Sequence, residues 1–230
     1  MAKRSVKNWQ AGVAKNDQLK IMTKVIANLN QLLSIGDRPT AERLSLLGSA
    51  YKRKALISAN NTDKVKALML SADYYKKAFN TPDNSNKTYA LTNWLEIEKI
   101  LQLVKNRPGL KTILKKYKFE TPAKTKADMG EALAKLINAD ADIDFWNVIG
   151  KANTTLCAWM LEGKNTTELT DKMVVDAYTK VWSMAGSQNK KVSEIEHFDF
   201  LISFYSGLVK SPANVKTITR IKKDLEKIIK

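Results

Sequence analysis

Apolar residues recur every three or four positions along almost the whole chain, the spacing of helices that each bury one face. The first such pattern covers residues 17–35, with Leu19, Met22, Val25, Ile26, Leu29, Leu32 and Leu33 on one side and Gly36 as a stop. Pro39 is read as opening a second helix, to about residue 58, with Leu44, Leu46, Leu47, Tyr51 and Leu56 on its apolar side. After the polar break Asn60-Asn61-Thr62, a third helix is expected over 63–79, carrying Val65, Leu68, Ala72, Tyr75 and Ala78. A fourth is expected over 87–104, ahead of Arg107-Pro108-Gly109, and a short one over 110–117. Further helices are expected near 123–139, 142–163, 168–186, 191–209 and 212–229. No useful β-alternation is present, so strands are expected to be few or absent.

Pro108, Gly109 and Pro122 punctuate the middle of the chain, between two helical halves. The expected organisation is a basic N-terminal segment (1–14), a first half (15–107), a basic linker (108–122), and a second half (123–230). The second half closes with an amphipathic helix.

Consecutive helical hairpins invite a search for repeats. Leu44-x-x-Leu47-Gly48-x-x-Tyr51 is followed by Tyr75-x-x-Ala78 and Pro82. Gly48 would let a second helix approach closely, Tyr51 and Tyr75 would fill the space between helices, and Ala78 is small where a next unit would pack. A second set begins at Trp146-x-x-Ile149-Gly150-x-x-Asn153, followed by Ala177, Tyr178, Val181, Trp182 and Ala185. It gives a reason for Gly150, since a glycine inside a helix costs about 1 kcal/mol relative to alanine.

These motifs resemble the tetratricopeptide repeat over 41–83 and 144–185. The resemblance implies an all-α fold of about 8–9 helices, stacked as antiparallel hairpins in a right-handed solenoid. The spacing departs from the family: Tyr51 and Tyr75 are 24 residues apart, against about 13 in the usual repeat. The extra length falls near 58–63 and, in the second unit, near 163–167, and means longer helices or a longer turn. Glu-Arg-Leu-x-Leu-Leu-Gly-x-x-Tyr-Lys over 42–52, the pair Phe145-Trp146 and the basic helix over 215–229 are also similar to the TRAF-binding helical-repeat region of apoptosis-signal-regulating kinases. Bacterial relatives of that region are often attached to signalling or defence modules, which implies an effector enzyme as a partner.

Repeats of this kind bind peptides along their first helices. Aligning Leu44 with Trp146 places Ser45, Ser49, Lys52 and Arg53 in the first unit, and Asn147, Lys151 and Thr154 in the second, on the expected groove. Ser45 and Ser49 stand where chaperone-binding repeats carry Lys and Asn, so that role is not expected. Lys52 and Arg53 favour an acidic ligand.

Composition and charge sharpen this. The net charge is +16. Residues 1–120 hold 23 basic and 9 acidic side chains, 121–210 hold 10 and 12, and 211–230 hold 6 and 2. The charge is therefore a property of the first half and the last helix. It admits nucleic-acid binding as an alternative, but the lysine-rich stretch 105–118 has only Tyr117 for base stacking. Trp9, in the basic N-terminal segment, is a candidate exposed anchor.

One Cys and one His, Cys157 and His197, cannot build a Cys/His zinc site or an internal disulfide. Cys157 reads as a buried thiol. Asp140, Asp142 and Asp144 read as a helix-start cluster rather than a cation site. No phosphate-loop, dinucleotide, zincin or nucleophile-elbow motif occurs, so no catalytic residue, cofactor or metal is expected. No apolar run spans a membrane and no secretory signal is recognisable, so a cytoplasmic address is expected. The expected function is a non-enzymatic adaptor that binds a protein or peptide and regulates a signalling or defence effector.

Overall fold

The computed structural model describes residues 15–35, 38–82, 87–119, 145–163, 165–166, 169–184 and 186–229. Trp9 and the rest of the N-terminal segment, the expected helix over 123–139, the Asp140–Asp142–Asp144 run, Ala185 and the side chains of Trp146 and Asn147 lie outside the described residues. The described residues are helical and contain no strand. The chain divides into two compact units, Met1–Lys118 and Phe119–Lys230.

In the first unit α1 (Lys15–Leu33), α2 (Ala41–Ile57), α3 (Asn61–Phe79) and α4 (Lys87–Val104) pack each against the next. The helix starts are written locally. Thr40 caps α2 by accepting a hydrogen bond from the Arg43 N–H (3.2 Å), which moves Pro39 outside the helix it was expected to open. Asn60 caps α3 by accepting from the Asp63 N–H (2.8 Å). Caps of this kind contribute about 1 kcal/mol each. Only Ser58, Ala59 and Asn60 separate α2, of 17 residues, from α3, of 19. The extra length of the first repeat therefore lies in its helices and not in its turn.

Met22 and Ile26 of α1 join Leu47, Ala50 and Ile57 of α2 in one core, edged by Tyr51 and Tyr74. Val65, Leu68, Ala72, Tyr75 and Ala78 of α3 are all fully buried. Leu46 departs from the expected apolar side and is 47% exposed. It lies about 200° around the helix from Leu44, so the two cannot share a face. Leu32 is likewise exposed, at the edge of the α1 stripe.

α4 is buried on every side from Ala90 to Glu98. Its polar residues bond inward: Thr92 Oγ1 donates to the Thr88 carbonyl (3.0 Å), and Asn93 Nδ2 to the Tyr89 carbonyl (2.9 Å). The short α5 (Lys111–Leu114) and its flanking turns place Leu110, Leu114 and Tyr117 in the interior. Residues 108–118, expected in a linker, are thus folded onto the first unit. Their apolar residues at spacings of four and three supply the anchor.

In the second unit α6 (Phe145–Glu162) packs against α7 (Asp171–Met184), and α9 (Pro212–Ile229) packs against both α7 and α8 (Gln188–Phe204). Tyr178 is the hub, edge-on to Trp182 (5.7 Å) and Phe198 (5.5 Å). The helix expected to run unbroken to 209 instead widens into one π-helical turn, Tyr205–Val209, closed by left-handed Lys210 (φ 55°). α9 buries Ile218, Ile221 and Leu225. It is tied to the other helices by Arg220 on Asp171 and by Lys222 on Asp199 (2.6 Å). Cys157 is fully buried, as its apolar neighbours indicated.

Asp171 sits at the start of α7. Burial pushes its carboxyl up, but the Asn165 amide and the Arg220 guanidinium together outweigh this and hold it below its ordinary value of 3.8. A carboxylate with a depressed folded pKa stabilises above its unfolded value, and that stability disappears as pH falls through the folded value. Asp171→Asn should therefore lower stability at neutral pH by on the order of 1 kcal/mol. Denaturant titrations at several pH values should show the gap to wild type closing below pH 3.8.

Candidate partner-binding face

The first repeat turns on one close approach. A Cβ placed on Gly48 would lie 2.9 Å from Cγ and Cδ2 of Tyr75 and 3.0 Å from Cδ1. The Tyr75 ring therefore lies flat against the α2 backbone, and Ser71 Oγ donates to the Gly48 carbonyl (2.7 Å) beside it. Tyr51 does not share this space as the motif suggested. It stacks on Tyr74, with centroids 5.5 Å apart and planes 10° apart.

Ser49, Lys52 and Arg53 follow Gly48 on α2 and are half-buried beside this contact. Lys52 Nζ donates to Asn93 Oδ1 of α4 at 2.7 Å. Arg53 donates to the Ser49 hydroxyl, and the Tyr75 and Tyr89 hydroxyls meet at 3.3 Å. The Tyr75 phenol is pushed well above its ordinary range, chiefly by burial and then by Tyr89, with Arg53 and Ser49 pulling the other way. It stays protonated and neutral beside a guanidinium. Ser49, Lys52 and Arg53 of α2 and Tyr89 and Asn93 of α4 thus form one polar strip. Tyr89 and Asn93 were not anticipated from sequence, because α4 carries no full repeat motif. The usable signal was positional: Pro82 ends a unit, so the next helix should stand beside α2.

Ser45, expected in this groove, is 6% exposed and its hydroxyl finds no hydrogen-bond partner. It is a packing residue in this structure. Thr154 is fully buried and donates to the Gly150 carbonyl one turn back, so it too is withdrawn from any open surface. Lys151 is half-buried. In the second unit Gly150 is buried, and Tyr178 is fully buried with its hydroxyl donating to Asn153.

No group of three or more His, Cys, Asp or Glu side chains suited to a metal occurs among the described residues. His197 stacks on Phe200, with planes 11° apart. No described helix is long and apolar enough to cross a membrane.

Gly48 against Tyr75, small Ala78 in the interior and hairpins packed in succession give the first unit a tetratricopeptide-repeat-like fold. Residues 7–101 match the family model described as Tetratricopeptide Repeats-Sensor, and repeats of this type are generally protein-interaction modules. No curated protein and no solved structure matches the chain.

Proposed function

We propose that the chain is a non-catalytic interaction module that binds an acidic peptide segment along the α2–α4 strip. Arg53 carries this reading. Its guanidinium is half-buried, donates to Ser49, and has no carboxylate partner among the described residues. A partly desolvated cation without a counter-ion gains most from an anionic ligand group. Lys52, held beside it by Asn93, adds a second positive charge in a fixed position. The matched family's description as a sensor supports a role in which ligand capture is passed to an effector. The likeness of residues 42–52 to the TRAF-binding repeat region points the same way.

Selection of a displayed random-peptide library on the immobilised chain should enrich peptides rich in Asp and Glu. Arg53→Ala should weaken the enriched peptides by about tenfold or more, without moving the thermal midpoint. Enrichment of uncharged or basic peptides, or equal affinity for the Arg53→Ala chain, would contradict the proposal.

A further inference from the structure

Residues 105–118 carry Lys105, Arg107, Lys111, Lys115, Lys116 and Lys118 and no carboxylate. The fold turns this run into a ridge. Leu110, Leu114 and Tyr117 are 4%, 3% and 8% exposed, at successive spacings of four and three, and hold the inner side. Tyr117 donates to Glu98 Oε1 at 3.2 Å, which pins the end of the ridge. Backbone bonds from Leu114 to Leu110 (2.9 Å), Lys115 to Lys111 (2.8 Å) and Tyr117 to Leu114 (3.1 Å) fold the run into one helical turn and the tight turns after it. Lys111, Lys115, Lys116 and Lys118 are left on the outside, and all four are exposed.

Like charges four residues apart on a helix disfavour it by about 0.2–0.5 kcal/mol. Among the described residues none of Lys111, Lys115, Lys116 and Lys118 has an ion-pair partner to offset this. The Glu98 carboxylate on the inner side is buried and occupied by Tyr117. A partner that brings negative charge to the ridge relieves this repulsion, and the ridge is already ordered, so little entropy is lost in docking.

We propose that this lysine ridge is a docking surface for a run of Asp and Glu side chains on a partner protein, distinct from the α2–α4 strip. Charge complementarity names an anion. The aromatic geometry favours a peptide over single-stranded nucleic acid, because Tyr117, the one aromatic of the run, is turned inward and offers no stacking face. The ridge, four exposed lysines within residues 111–118, also suits a short acidic segment.

Fluorescence anisotropy with a labelled glutamate-rich peptide at low salt tests this. Lys111→Glu/Lys115→Glu/Lys118→Glu should weaken binding by about tenfold or more. Lys24→Glu/Lys66→Glu/Lys216→Glu, an equal change of charge elsewhere on the chain, should leave it within about twofold. These variants are made in the Arg53→Ala chain, in which the α2–α4 strip is already weakened, so that the loss reads the ridge alone. If the triple Glu variant fails to fold, Lys→Gln at the same three positions should still weaken binding. Equal losses in the two charge-reversal variants would overturn the ridge as a site. Tighter binding of an RNA or DNA probe than of the peptide at the same salt would overturn the protein partner.

Discussion

Tyr75→Ala should lower the stability of the first unit by about 3–5 kcal/mol, the usual cost of emptying a large aromatic site. Tyr75 is fully buried and covers Gly48, it stands edge-on to Tyr89 (5.7 Å, 75°), and its hydroxyl meets that of Tyr89. Truncation opens a cavity where α2, α3 and the start of α4 come together. Amide hydrogen exchange read over α2 and α3 should show the loss. Tyr75→Phe should lose only about 1 kcal/mol, because it keeps the ring and gives up a single hydrogen bond. A Tyr75→Ala chain that exchanges as slowly as wild type would mean that the ring is not what joins the hairpin.

Gly48→Ala is the second large effect, and its sign is not obvious. Alanine is the better helix former by roughly 1 kcal/mol. Against this, the new Cβ would sit within 3.0 Å of three carbons in the Tyr75 ring. The ring carbons adjoin the Tyr75 Cβ and have no flexible end to swing aside. Overpacking of this kind costs about 1–3 kcal/mol and occasionally more. Three ring carbons are met at once, which places the cost at the top of that range, and the expected net result is a loss of about 2 kcal/mol. Gly207→Ala gives the contrast: nothing lies within 4 Å of its added Cβ, so it should be neutral or mildly stabilising.

The residues that encode the close approach were legible in the sequence. Leu44, Leu47, Gly48, Tyr75 and Ala78 are specified by spacing and size together, and each lies where the motif placed it. The extra residues of the expanded repeat were legible only as a surplus, which the three-residue turn before α3 assigns to helix length. Ser45 and Thr154 were misread for a different reason. Repeat position gives the angle of a side chain around its helix, but not how closely other parts of the fold cover that angle. Tyr89 and Asn93 were missed because a helix buried on nearly every side has no contrasting polar face to reveal it. Residues 108–118 looked like a linker because Pro108, Gly109 and the lysines dominate the pattern. Their anchors, Leu110, Leu114 and Tyr117, are only three residues.

The central claim is that one contact, the Tyr75 ring on the Gly48 backbone, sets the hairpin and so positions Ser49, Lys52 and Arg53 beside it. The sign of the Gly48→Ala effect in two backgrounds tests it most directly. With Tyr75 present, urea denaturation should show Gly48→Ala to be destabilising by about 2 kcal/mol. With Tyr75→Ala all three opposing ring atoms are gone, and the same substitution should become stabilising by roughly the 1 kcal/mol of helix propensity. An effect of the same sign and size in both backgrounds would contradict the account.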